Sequence, residues 1–579
     1  MADTNRVHAP YNFVPFSNRV MVRYAAPEDL PPHDRIDPEL KTGEIHVTLR
    51  AETPVFVGDG NEQFFQDAAG RYAIPGASLR GLIRENMQIL GMGLVRGGED
   101  VEDVQIFFRK MADAKGSVNG QLKTYYHEVL GVETRKAAGG PRDQKGKPKT
   151  SSIPKHVRAG WLRKDGNTYI IYPVRGGYLR ISRKDELAAP WKDAFARYVD
   201  VAYRTAGDRI AALTEAGKAE PDMKRGVLLC TGKYVGREPN HLYLFPEEPD
   251  PEAEPVEVSA ADILSYTADW EGRVNSLKGF RYDPGFWALP REGEKKAVFY
   301  TRFNGHTFFG MSLYLRVGHR FPLSAGLPDK HKALAEEETP VLDYPHAVLG
   351  FAGKQDAYRS RVSFSDLPVR GEAQTAQEVK VILGQPKPSY FPGYVRKGDH
   401  YSEEEGFQLR GYKQYWMKEK ADPPAAEQGK EKVSSTLRPL SAGTVFSGVV
   451  RYRNLHEDEL GLLLWALRLE KGCFQSVGMG KPYGFGRMTL TVDALREYRP
   501  EELYRGFGTR TSEPDGGAVE RYISAYVKYV DQAFRKPGAA SGKKKGKDFS
   551  LREQGWLRDF LFLRSSVRPA GEMGYMELE

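Results

Sequence analysis

Near the C-terminal end of the chain, a glycine-rich run separates two strongly patterned segments. The run is Gly478-Met479-Gly480-Lys481-Pro482-Tyr483-Gly484-Phe485-Gly486-Arg487. Glycine has no Cβ, so it tolerates positive φ and lets another backbone come close. Ahead of the run, Glu457 to Glu470 reads as a helix, almost wholly apolar from Leu460 to Leu467 and therefore buried. Behind it, Met488, Leu490 and Val492 alternate with polar residues, which is the period of a strand. This order excludes two nucleotide-binding motifs. A P-loop needs Ser or Thr after its lysine, and Pro482 stands there. A dinucleotide fingerprint follows a strand and opens a helix, the reverse of what is found. With Lys481, Tyr483 and Arg487 alongside Gly478, Gly480, Gly484 and Gly486, the loop suits a phosphate backbone with a base stacked nearby.

The other end of the chain reads in complement. Ile45, Val47 and Leu49 alternate with His46, Thr48 and Arg50, which predicts a half-buried strand. A turn at Gly58-Asp59-Gly60-Asn61 and a break at Ile74-Pro75-Gly76 follow. Leu79, Leu82, Ile83, Met87 and Leu90 then fall at helical spacing. Arg80 and Arg84 lie four residues apart on that helix, so they share a face that could clamp phosphates. Between the two ends, Ile170 to Ser182 reads as strand around an Arg175-Gly176-Gly177 turn, and Arg197 to Ala216 as helix. Ala297 to Val317 reads as strands broken at Asn304-Gly305, and Thr444 to Tyr452 as a central strand. Arg359 and Arg361 are expected on one side of a strand. Arg410-Gly411-Tyr412-Lys413-Gln414-Tyr415-Trp416 alternates basic and aromatic residues, a stacking surface for bases.

At 579 residues, two or three domains are expected. A net charge of +8 points to a polyanionic partner. Cys230 and Cys473 support neither a disulfide framework nor a cysteine zinc site, and no metal-ligand cluster is legible. No apolar run is long enough to span a bilayer, and Met1 to Val14 carries no leader signal, so a cytoplasmic location without membrane partners is expected.

Strand–turn–helix at one end and helix–glycine loop–strand at the other is the pattern of a ferredoxin-like βαββαβ unit. The chain is therefore expected to be α+β, with one or two ferredoxin-like (RRM-like) modules carrying large insertions. Expected boundaries are an N-terminal arm over 1–42, modules over 43–296 and 297–500, and a peripheral C-terminal extension over 501–579.

Several segments together resemble the RAMP superfamily of CRISPR systems, and most of all the large RAMP proteins found with type III effector gene clusters. They are Ile74-Pro75-Gly76-Ala77-Ser78-Leu79-Arg80-Gly81, the Leu349-Gly350-Phe351 to Asp366 unit, the Gln385-Pro386-Lys387-Pro388 segment, the Arg410 to Trp416 segment and the glycine loop. The resemblance implies RNA binding within an antiviral effector ribonucleoprotein, with CRISPR RNA, target RNA and other effector subunits as partners. Arg80, Arg84, Arg359, Arg361 and Lys387 would then contact RNA, together with Lys413, Tyr415, Trp416 and the loop residues.

The resemblance also raises an enzymatic alternative. Some family members cleave target RNA with an aspartate in the loop after the first strand, and Asp59 and Asp67 occupy that loop here. Relatives that process repeat RNA use histidine, whose pKa lies near neutrality, and His127 sits beside a basic segment. An endoribonuclease cutting target RNA would draw on Mg²⁺. The binding reading needs no cofactor.

Overall fold

The computed structural model describes residues 9–110, 117–136, 150–231, 240–276, 284–337, 341–353, 357–384, 390–423, 434–498, 511–512, 516–535 and 548–566. They fall into two units that interleave in sequence. The first comprises Met1–Asp100, Leu327–Lys387 and Leu409–Glu579, and the second Val101–Gly326 and Pro388–Gln408. The fold is α+β.

The first unit is built on strand β1 (Lys41–Ala51), helix α1 (Gly76–Leu90), strands β2 (Val362–Phe364) and β3 (Val445–Leu455), helix α2 (Glu457–Arg468) and strand β4 (Arg487–Tyr498). The strands pair antiparallel in the order β2-β3-β1-β4. Register sets Leu49 opposite both Phe446 and Leu490, so apolar side chains line up across the sheet. Ile45, Val47, Leu49, Val450 and Met488 are buried with Leu79, Ile83 and Met87 of α1 and with the leucines of α2. The alternate residues of the same strands, among them His46, Thr48, Arg50, Arg451 and Thr491, form a polar face that retains exposure. Helix α2 opens at His456, two residues beyond Asn454, and the Glu459 carboxylate accepts the His456 N–H at 2.9 Å.

The expected boundaries need three corrections. In the described part of the expected arm, residues 9–42 are not separate, because Tyr11–Val14 pairs with Tyr412–Tyr415 and Val22–Tyr24 pairs with Leu342–Asp343. The cut at 296/297 falls inside strand Lys295–Phe303, which pairs with Arg158–Asp165. Nor is the C-terminal extension peripheral in its described part. Helix α3 (Ala518–Ala533) lies so close to α2 that a Cβ at Gly461 would collide with the Tyr522 carbonyl. Tyr526 of α3 donates to Leu90 O at 2.8 Å, and helix α4 (Gly555–Arg564) adds Leu557 and Phe560 to the same core. Among the described residues, no helix is long and apolar enough to cross a membrane.

The second unit contains two five-stranded antiparallel sheets, and neither repeats the order of the first unit's sheet. The segment predicted as helix over 197–216 is a hairpin, Arg197–Ala206 with Arg209–Glu215, turning at Gly207 with φ +58°. The turn chemistry of Gly207-Asp208 overrode the helical reading. The expected break at Asn304-Gly305 is a two-residue turn with both residues at positive φ, joining Lys295–Phe303 to His306–Gly310. Beside it, Asp262 accepts from His306 Nδ1 at 2.8 Å and from the Thr307 N–H at 3.0 Å.

Arg361 and Glu459 are both fully buried. Arg361 Nη1 donates to Glu459 Oε2 at 2.8 Å and to the Asn454 carbonyl at 2.6 Å, while Nε donates to the Ala347 carbonyl at 3.0 Å. Tyr24 donates to the same carboxylate at 2.9 Å. Burial works against both charges, but each partner outweighs it, raising the arginine pKa and lowering that of Glu459.

Two predictions follow from these contacts. Arg361→Met leaves a buried carboxylate unpaired and should destabilise the first unit by about 3–5 kcal/mol. The double variant Arg361→Met/Glu459→Met should recover most of that loss, read from denaturant unfolding midpoints. In the second unit, hydrogen bonding to Asp262 raises the His306 pKa above its ordinary 6.5. Burial pushes Asp262 upward, but its hydrogen bonds outweigh this and hold it below 3.8. The His306 contribution is complete below pH 6.5 and is lost as pH rises through the raised value. That of Asp262 is complete above 3.8 and is lost as pH falls through the lowered value. Between about pH 6 and pH 8, the unfolding midpoint should fall more in the native chain than in His306→Gln.

Candidate nucleic-acid interface

The glycine loop packs on the protein's own backbone. Gly478 and Gly486 have φ of +81° and +73°. A Cβ at Gly478 would strike the Phe56 carbonyl, and one at Gly486 the Val477 carbonyl. Six of the loop amides are also engaged. Met479 N–H donates to Phe56 O at 2.8 Å and Gly486 N–H to Pro54 O at 2.9 Å. Tyr483, Gly484 and Phe485 donate within the loop, and Arg487 N–H donates to Thr53 Oγ1. This corrects the expectation that Gly478, Gly480, Gly484 and Gly486 let a ribose-phosphate strand lie against the main chain. A phosphate cradle needs free amides, and these dock the loop onto the segment that follows β1.

Two of the loop's side chains are similarly committed. Tyr483 donates its hydroxyl to Ile382 O at 2.7 Å. The Arg487 guanidinium lies 3.7 Å from the centre of the Phe474 ring, and burial lowers its pKa against the pull of Glu52 and Glu419. Burial likewise lowers the pKa of half-buried Lys481.

Other expected contacts divide. Arg361, sealed against Glu459, cannot reach RNA, and the expectation that it shares a strand side with Arg359 is corrected. Both residues precede β2, and Arg359 is exposed while Arg361 is buried. Trp416 is 7% exposed and packs edge-to-face on Phe562 of α4, so it is a core residue rather than a stacking platform. Arg80 donates to the Leu349 carbonyl at 2.7 Å, and Arg84 pairs with Asp100 at 3.3 Å. Both arginines of α1 therefore serve the fold. Lys387 lies outside the described residues.

Lys413 and Tyr415 are brought together with two residues that sequence reading missed. In the ribbon of Tyr11–Val14 and Tyr412–Tyr415, Tyr11 pairs with Tyr415 and Phe13 with Lys413. All four are half-buried. The Lys413 ammonium lies 3.9 Å from the Tyr11 ring centre and 5.2 Å from that of Tyr415, and Arg410 lies 4.9 Å from that of Phe13. The other ribbon face points inward, with Val14 and Gln414 buried. The alternation in Tyr11-Asn12-Phe13-Val14 was the available signal.

A second cationic surface is the polar face of the sheet. Register places Arg451, Glu44 and Arg496 side by side across β3, β1 and β4, with Val449, His46 and Ala494 in the adjoining row. Arg451 Nε donates to Glu44 Oε1 at 3.0 Å, and Arg50 stands exposed further along β1.

The candidate catalytic groups do not converge within one unit. Asp59 Oδ1 accepts from the N–H groups of Asn61 and Gln63 at 2.7 and 3.2 Å, a local turn. Asp67 accepts from Ala69 N–H at 2.9 Å and pairs with Arg71 at 2.7 Å. These bonds hold both carboxyls below their ordinary range. His127 belongs to helix Ser117–Leu130 of the second unit. Among the described residues, no group of three or more His, Cys, Asp and Glu side chains is placed to hold a metal ion.

Comparison with curated protein sequences gives no match. The family model of the RAMP superfamily matches residues 48–133, from the middle of β1 through α1 and on past helix Ser117–Leu130. Over this segment the chain is similar to the RAMP superfamily.

Proposed function

We propose that the protein binds RNA as a subunit of a type III CRISPR antiviral effector ribonucleoprotein. It would hold CRISPR RNA or target RNA, in the cytoplasm and beside other effector subunits. The similarity of residues 48–133 to the RAMP superfamily supports an RNA-binding role in CRISPR systems. The connectivity β1-α1-β2-β3-α2-β4 with sheet order β2-β3-β1-β4 supports a single ferredoxin-like module with large insertions.

The observation that carries the reading is the ribbon face of Tyr11, Phe13, Lys413 and Tyr415. Aromatic rings interleaved with cations offer sequence-tolerant stacking and charge to a single strand. The arginines of the polar sheet face add attraction to phosphate. Binding is favoured over cleavage because Asp59 and Asp67 already close their own turns.

Lys413→Ala/Tyr415→Ala should weaken single-stranded RNA binding about tenfold or more, since stacking contributes about 1–3 kcal/mol per base. Fluorescence anisotropy at fixed salt reads this, and unchanged affinity would reject the ribbon's role. Arg50→Ala/Arg451→Ala should flatten the salt dependence of log K by about one unit. Incubation with labelled repeat and target RNA should leave both intact with and without Mg²⁺. Defined products that vanish in Asp59→Ala or Asp67→Ala would instead establish the nuclease.

A further inference from the structure

Helix α4 ends on a charge that the first unit leaves without an acid partner. Arg564 is 2% exposed. Its carbonyl accepts the Phe474 N–H at 2.8 Å, which ties the helix end to the segment ahead of the glycine loop. A guanidinium is rich in N–H donors. Among the described residues this one makes a single hydrogen bond, from Nη2 to Asn86 Oδ1 at 3.3 Å. Its Nε is buried without an acceptor. The Phe560 ring, 5.3 Å away, offers a π face and no acceptor. The neighbouring amides cannot turn to help. Asn86 Nδ2 donates to the Ala466 carbonyl at 3.0 Å and to Gln475 Oε1 at 2.9 Å, and Gln475 Nε2 donates to the carbonyls of Ala466 and Leu467.

A second cation stands within electrostatic reach. Half-buried Lys481 makes no hydrogen bond or ion pair among the described residues. Burial lowers its pKa most, Glu85 opposes this, and Arg564 adds to it. Burial also leads in lowering the pKa of Arg564, against the pull of Glu85 and Cys473. Glu85 is thus the carboxylate that both cations feel, yet it pairs with neither. It is exposed and accepts from Gln414 Nε2 at 2.8 Å. Arg361 of the same unit makes the contrast, since Glu459 and two carbonyls take its donors. A guanidinium buried without a counter-ion is costly unless an anion joins it. Lys481 and Glu85 keep exposure, so solvent reaches this corner beside them.

We propose that Arg564 and Lys481 together hold a compact oxyanion of the phosphate class, either free phosphate or the terminal phosphoryl group of a small phosphomonoester. Guanidinium and ammonium are the two phosphate-binding cations of proteins, and the several oxygens of one phosphate can engage both. The burial of Arg564 selects a slim end group. A phosphodiester inside an RNA strand carries a ribose on either side and cannot bring its oxygens to so enclosed a guanidinium. The site is therefore separate from the Lys413 ribbon and does not rest on the RNA-binding reading.

The test titrates the full chain, in phosphate-free HEPES at ionic strength held constant with NaCl, with inorganic phosphate, glycerol 2-phosphate and acetate. Isothermal calorimetry should give at least one of the two phosphates a Kd on the order of 1 mM or tighter. Acetate should bind at least about tenfold more weakly, because fewer charge-assisted bonds are available to it. Tighter binding of inorganic phosphate assigns the site to the free ion, and tighter binding of glycerol 2-phosphate to a phosphomonoester. Arg564→Met and Lys481→Met should each weaken binding about tenfold or more, while Lys413→Ala/Tyr415→Ala leaves it unchanged. The thermal midpoint of the native chain should rise with phosphate, and that of Arg564→Met should not respond. Should Arg564→Met fail to fold, Lys481→Met decides. No binding by either phosphate, equal binding of acetate, a phosphate response that survives in Arg564→Met, or unchanged affinity in Lys481→Met overturns the proposal.

Discussion

The first unit depends on one buried ion pair. Arg361 and Glu459 meet where three segments converge: the short helix Tyr344–Leu349, the end of β3 and the first turn of α2. No water is needed to satisfy the guanidinium, because the carbonyls of Ala347 and Asn454 take the donors that Glu459 does not. Glu459 in turn accepts the amide that opens α2 and the Tyr24 hydroxyl. A charge pair so placed specifies geometry more than it adds net stability. It fixes how β2 enters the sheet beside β3, and through α2 it fixes where the glycine loop begins.

The sequence conveyed the periodic parts of this architecture. The alternation of Ile45, Val47 and Leu49, the helical spacing from Leu79 to Leu90 and the apolar block from Leu460 to Leu467 each became the expected element, because local periodicity states which face is covered. What it could not convey was partnership. Arg361 in an alternating strand-like run looks like a surface cation, and only the approach of Glu459, 98 residues later, makes it a core residue. Tyr11 and Phe13 sit in a proline-rich start and look unstructured until Tyr412–Tyr415 pairs with them.

The glycine loop shows the same limit in another form. Glycines at positive φ announce close approach but not what approaches. Here the neighbours are the carbonyls of Phe56 and Val477, so the signature records internal docking of the loop on the chain that follows β1. The cations and rings that keep partial exposure lie instead on the Lys413 ribbon and on the outer face of β1, β3 and β4.

The interleaving of the two units has a consequence for biogenesis. β1 is complete at residue 51, but its neighbour β3 begins at residue 445. At ribosomal speeds, about 20–80 s separate the emergence of the two. Throughout that interval Ile45, Val47 and Leu49 have no sheet to join, and the apolar stripe of α1 has little to cover it. An apolar strand and helix left without their partners for that long are open to aggregation before synthesis is finished.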